Sequence, residues 1–172
     1  KPSIILNFVH VEDNHHSKYM LMVKIKDLIK SIDEWAPFSL QESYDNAGLI
    51  VGNPNQEVNS VLVSFDVTES IIDEAIKQKA EVIVAHHPIV FKGLKKFTGA
   101  NYVERVVIKA IQNNIAIIAV HTNLDNVLHG TNSILANRLE LQNVRALAPM
   151  SQHLFKLVTF VPKQHADQVR ES

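Results

Sequence analysis

The chain has 172 residues, 46% of them hydrophobic and 20% charged, which is enough for one domain with its own core. Its 17 Lys and Arg against 18 Asp and Glu leave a formal net charge of −1, so nothing favours a general nucleic-acid or membrane-surface role. With no cysteine, disulfides, Cys-ligated zinc and a thiol nucleophile are excluded together, and the composition fits a reducing, cytoplasmic setting.

Residues 1–21 open with a short apolar patch, Ile4-Ile-Leu6, followed by a polar run holding His15 and His16. The patch is too short for a secretory apolar region and no small-residue cleavage site follows it. The segment is therefore expected to be a leader or disordered extension, with the regular pattern starting near Met22. Across 24–35, Ile25, Leu28, Ile29, Ile32 and Trp35 recur at helical spacing. Pro37 ends that helix, because the residue before a proline avoids the α region. Ser39-Leu-Gln-Glu42 has the form of a capping box and predicts a short second helix. Next, Tyr44-Asp-Asn-Ala-Gly48 reads as a turn feeding an apolar strand over 49–51. Residues 60–66 are β-rich and predict an interior strand.

Thr68 and Glu69 open a helix whose inward face is Ile71, Ile72, Ala75 and Ile76, with Lys77 and Lys79 placed to complement its dipole. A buried strand at 81–86 follows, then a basic, glycine-punctuated loop over 91–99. A helix over 102–112 carries Val103, Val106, Val107, Ala110 and Ile111 on one side, and another buried strand starts at Ile115. Thr131 or Asn132 can cap a helix reaching about Leu139. Residues 153–162 alternate like a strand and 164–172 like the opening of a helix. The expected organisation is a leader or disordered extension at 1–21, an α/β domain at 22–150, and the start of a second domain at 151–172. Short, continuously apolar strands separated by amphipathic helices predict an α/β fold, a mostly parallel sheet with helices on both faces. Ligands of such sheets lie beyond the C-terminal strand ends. No apolar run approaches the roughly 18 residues of a membrane span.

Two strands end in histidine at that edge, Glu81-Val-Ile-Val-Ala-His86-His87-Pro88 and Ile115-Ala-Ile-Ile-Ala-Val-His121-Thr-Asn-Leu-Asp125. Neighbours on a regular strand face opposite ways, so an isolated His-His pair is more often one buried and one exposed residue. Pro88 bends the chain there and lets both rings turn toward one point. Asp125 alone reads as a turn or cap residue. Together, His86, His87, His121 and Asp125 form a candidate metal-ligand set suited to zinc, iron, manganese, nickel or cobalt. His121 is also the candidate catalytic residue, holding or shuttling a proton. Asp66 reads as a helix cap or as the partner that holds an imidazole tautomer, with a ligand role as the third alternative. Asp45 and Asn46 read as turn residues with structural hydrogen bonds, with a role as a partner behind a metal ligand as the alternative. Lys92, Lys95 and Lys96 read as a solvated loop that could also attract an anionic substrate. His10, His129, His153 and His165 read as surface residues. No nucleophile elbow, phosphate loop or dinucleotide fingerprint is present.

Tyr44-Asp-Asn-Ala-Gly-Leu-Ile-Val-Gly52, Asp66-Val-Thr68, Ala85-His-His-Pro88 and His121-Thr-Asn-Leu-Asp125, in that order, resemble the Nif-three-like family. Its members commonly carry the name GTP cyclohydrolase I type 2 homolog. The resemblance covers roughly residues 22–172. It implies a dinuclear centre of two divalent metal ions in an α/β domain, with subunits assembled into a toroidal homohexamer. The family's ligands map onto His86, His87 and Asp125, with His121 as a ligand or close neighbour. Family members supply a further His and Glu from a His-x-x-x-Glu motif toward their C-terminus, and longer members carry an inserted domain. This sequence contains no such motif, and 154–172 is similar to the first strand and helix of the insertion. Half of the centre is therefore expected outside these residues. The implied function is a metal-dependent hydrolase acting on a small molecule, a nucleotide or phosphoester. The alternative is a metal-handling or scaffold protein of the same fold.

Overall fold

A computed structural model describes residues 3–7, 23–149 and 158–170. The elements in chain order are β1 (Ile4–Asn7), β2 (Val23–Lys24), α1 (Ile25–Trp35), β3 (Gly48–Val51), β4 (Glu57–Val58), β5 (Ser60–Ser64), α2 (Glu69–Gln78), β6 (Val82–Ala85), α3 (Tyr102–Gln112), β7 (Ala116–Ala119), α4 (Thr122–Asn126), α5 (Thr131–Arg138) and α6 (Ala166–Arg170). The chain divides into two units, Lys1–Glu140 and Leu141–Ser172, a boundary earlier than the expected 150/151.

In the first unit a five-stranded sheet has the order β1-β5-β6-β7-β3. Its centre is parallel, with Leu62 beside Ile83 and Ile83 beside Ile117. Both edges are antiparallel: Ile5 pairs with Leu62, and Leu49 with Ile118. The sheet is thus mostly parallel, as its apolar strands require. Strand periodicity sends neighbouring residues to opposite faces. Leu62, Ile83, Ala85 and Ile117 pack with Ile72, Ala75, Val106, Val107 and Ala110 from α2 and α3. Val61, Val82, Ala116 and Ile118 pack on the other face with Ile25, Ile32 and Ala36 from α1 and its end. Leu62, Ile83, Ile117 and Ile118 are almost completely buried, each contributing about 1.5–3 kcal/mol of apolar burial.

Helix ends are chemically marked. The Thr68 hydroxyl accepts from Ile71 N at 3.3 Å, and Asn101 Oδ1 from Glu104 N at 2.9 Å. Glu104, 7% exposed, accepts in turn from Thr98 N and Oγ1 at 2.9 Å, Ala100 N at 3.1 Å and Asn101 Nδ2 at 2.9 Å. It fastens the end of the 91–99 loop to α3.

Several expectations change. Ser39-Leu-Gln-Glu42 opens no α-helix; Phe38–Leu40 is a single 3-10 turn. Gln41 is already extended at ψ 151°, and the Glu42 carboxylate accepts from Asn126 Nδ2 at 3.2 Å instead of closing a capping box. Ile76 and Ile111 are 40% and 57% exposed, because the stripes that α2 and α3 bury are narrower than their apolar patterns. The cap of α5 is Gly130, which leaves the Thr131 hydroxyl free to donate to Asp125. Of the expected leader, Ile4–Asn7 forms β1 on the open edge of β5, where its backbone finds a ladder partner; residues 8–22 lie outside the described residues.

In the second unit, Lys163–His165 is a 3-10 turn leading into α6. Residues 153–157 of the expected strand lie outside the described residues. Residues 158–162 are not a strand, and no described strand of this unit offers them a ladder. No described helix is long and apolar enough to cross a membrane.

Candidate metal centre

Strand pairing brings the two histidine segments together. Ala85 lies beside Ala119 in the β6–β7 ladder. Backbone bonds continue past the strand ends: His86 N donates to Ser64 O at 3.3 Å, His87 N to Phe65 O at 3.1 Å, and Val120 N to Ala85 O at 2.8 Å. His121 then leaves the sheet, with φ −111° and ψ −114°, and α4 begins at once. Asn123, completely buried, holds this turn. Its Oδ1 accepts from His121 N at 2.9 Å and its Nδ2 donates to Ala36 O at 2.7 Å.

The imidazoles of His86, His87 and His121 converge. One ring nitrogen from each lies within 4.8 Å of the others, and ring centroids are separated by 5.0, 5.2 and 5.5 Å. Every Nδ1 faces an oxygen: Val120 O at 3.0 Å for His86, Asp66 Oδ1 at 2.7 Å for His87 and Asp45 Oδ1 at 2.8 Å for His121. A carbonyl or carboxylate oxygen only accepts, so each Nδ1 is placed to carry the hydrogen, and Nε2 is the lone-pair nitrogen of each ring in its neutral form. Phe65 stacks on His86 at 5.1 Å and meets His87 edge-on at 4.5 Å, giving the cluster an apolar flank. Burial pushes the His86 pKa below its ordinary value, against the opposing pull of the Asp125 charge and the Val120 carbonyl. A neutral imidazole is the form that binds a cation.

Asp125 stands at the rim of this cluster. Its Oδ2 is 3.9 Å from His86 Nε2, while Oδ1 accepts from the Thr131 hydroxyl. It is not part of the group whose ligand atoms lie within 4.8 Å. Asp66 takes the tautomer-holding role expected of it, through His87; Thr68 is the residue that caps α2.

Asp45 takes the second of its two readings, that of a partner behind an imidazole. Its side chain is 0% exposed. Oδ1 meets His121 Nδ1 and accepts from Asn46 N at 2.6 Å, and Oδ2 accepts from Thr122 N at 3.1 Å and from the Thr122 hydroxyl. Burial alone would raise its pKa, but the bonds from Thr122, His121 and Asn46 outweigh that and hold it below the ordinary carboxylate value. The local pattern around Asp45 left a turn and a partner role both open, and only the contact with His121 decides between them. Lys92, Lys95, Lys96, His129 and His165 are exposed, and His10 and His153 lie outside the described residues.

Imidazole nitrogens with a carboxylate alongside make a donor set that fits a borderline divalent ion such as zinc, and the His86–His87–His121 cluster could hold one. The fold is shared with known proteins. The family model described as Duf34/NIF3 (NGG1p interacting factor 3) matches residues 23–171. The chain is 43% identical over 146 residues to the GTP cyclohydrolase 1 type 2 homolog of Halalkalibacterium halodurans, covering 84% of this chain and 39% of the relative. It is 36% identical over 150 residues to the protein of the same name from Staphylococcus epidermidis, covering 87% of this chain and 41% of the relative. The chain thus spans about two fifths of the length of these relatives. Among solved structures, the Bacillus cereus protein related to NIF3 superposes with a TM-score of 0.71 at 36% identity, over 87% of this chain and 42% of that one. With residues 23–171 matched by the family model and the fold matched by a solved relative, this chain belongs to the Duf34/NIF3 family.

Proposed function

We propose that the chain is the metal-binding part of a metal-dependent hydrolase whose substrate is a nucleotide or another phosphoester-type small molecule. The observation that carries the proposal is the convergence of three imidazoles whose Nδ1 atoms are all engaged elsewhere. His86, His87 and His121 would hold a divalent ion, with Asp125 beside His86 as the carboxylate ligand. Such an ion, when bound, supplies Lewis acidity that makes water a competent nucleophile near neutral pH. The chain's own residues prepare the place: Asp66 and the Val120 carbonyl orient two imidazoles, and Phe65 shields their flank. The nucleotide class is supported by the name of the curated relatives, GTP cyclohydrolase 1 type 2 homolog. A second ion and a homohexameric assembly belong to the same proposal and are supported by family resemblance.

The test begins with metal content. The purified chain is equilibrated with Zn²⁺ or Mn²⁺, desalted and analysed for bound metal. The wild type is expected to retain metal, and the His86→Ala/His87→Ala double variant to fall to background. A wild type that retains none overturns the proposal for this chain. Turnover of nucleoside triphosphates and phosphoesters is then measured on the full-length protein. The family description, an interacting factor, favours a second reading in which the metal serves binding rather than catalysis. Metal-loaded full-length protein that turns over none of these substrates selects that reading.

A further inference from the structure

The two loops that carry the imidazoles leave neighbouring strands, and one distant turn holds both. Asp45 reaches the loop after β7 through His121 Nδ1, Thr122 N and the Thr122 hydroxyl. Asn46 reaches the loop after β6, where its Nδ2 donates to Val90 O at 2.6 Å. The Thr122 hydroxyl also accepts from Glu42 N at 2.9 Å, which directs its own hydrogen toward Asp45. The carboxylate is thus surrounded by donors and out of reach of water. The comparable pair, Asp66 with His87, is 40% and 45% exposed, so solvent can take over when Asp66 is lost. Behind His121 the intact carboxylate has no solvent contact.

We propose that Asp45 is a positioning residue of the centre: it locks the His121 imidazole as the Nδ1–H tautomer and reserves Nε2 for the cation shared with His86 and His87. Only the second half of this statement rests on the proposed metal function. The tautomer is a property of the metal-free chain. Asp45 touches no substrate; it acts through the ring that it holds, as outer partners of metal-binding histidines do.

The experiment is long-range ¹H–¹⁵N NMR of the imidazoles in the metal-free 172-residue chain at mildly alkaline pH, paired with Zn²⁺ titration. The wild type is expected to show His121 as Nδ1–H. Asp45→Asn, whose amide oxygen still accepts, keeps that tautomer. Asp45→Ala shifts His121 toward Nε2–H and weakens Zn²⁺ binding by about tenfold to hundredfold, with Asp45→Asn in between. A wild-type His121 that is Nε2–H overturns the proposal without any variant having to fold. A folded Asp45→Ala chain with unchanged tautomer and unchanged Zn²⁺ affinity overturns it equally. The expected tautomers in a wild-type chain that takes up no Zn²⁺ support the role of Asp45 in holding the ring and refute the metal function instead.

Discussion

Replacing Asn123 by alanine removes two hydrogen bonds from a side chain with no solvent exposure. The carbonyl of Ala36, itself in a completely buried residue, loses its Nδ2 donor, and a stranded buried acceptor costs about 1–3 kcal/mol. His121 N loses its acceptor as well, but that group is only part-buried, so its share is nearer the net value of an ordinary bond, about 0.5–1.5 kcal/mol. The expected loss is about 2–4 kcal/mol. Trp35, the single tryptophan, directly precedes Ala36 and reports on this junction. Urea unfolding followed by its fluorescence should show the midpoint falling by about 1–2 M at unchanged slope. Asn126→Ala is the matched control. It also loses two bonds, to Leu40 O at 2.9 Å and Glu42 Oε1 at 3.2 Å, but in an exposed setting where water substitutes. Its loss should stay below about 1 kcal/mol. If the two variants lose equal stability, the argument from burial is refuted.

Two further substitutions probe the frame around the site. Gly130→Ala places a methyl group 1.8 Å from the Leu124 carbonyl oxygen at an ordinary φ of −92°, so the obstacle is space and not backbone conformation. It should cost about 1–3 kcal/mol in thermal or urea unfolding and part the α4–α5 junction where Thr131 meets Asp125. Glu104 is held below its ordinary value of 4.5 by the backbone and side-chain bonds from Thr98 and the backbone bond from Ala100. A depressed folded-state pKa stabilises the fold above pH 4.5, and this contribution fades as pH falls through the lower folded value. Glu104→Gln should therefore be less stable than the wild type at neutral pH, with the gap narrowing below pH 4.5. A gap independent of pH across a set of unfolding curves would remove the carboxylate from the explanation.

The parallel centre of the sheet was legible because burial on both faces leaves an uninterrupted apolar run, and α3 because its apolar residues recur along one side. The histidines were legible by topology: strands of one hand and direction deliver their C-terminal residues to one edge. Pairing across long separations was not legible. Asp45 and His121 are 76 positions apart, and nothing around Asp45 distinguishes a turn aspartate from one that holds an imidazole. Asn123 looks like any loop amide until Ala36 is brought against it. The edge strands were missed in direction or altogether, since short β-rich runs such as Ile4-Ile-Leu6 need a partner before they are strands at all. The Ser39–Glu42 pattern shows the reverse error, in which a sound local signal was overruled by a tertiary contact with Asn126.

Residues that do chemistry commonly sit on segments that open easily, because loops carry few protected amides. Here the backbone bonds of the sheet run on through His86, His87 and Val120 before the chain turns away. The imidazoles therefore hang from segments tied into the central ladder of the sheet. Pulling His86 away from His121 means tearing open the middle of the sheet, so the distance between the two loops is set by the same cooperative unit that keeps the domain folded.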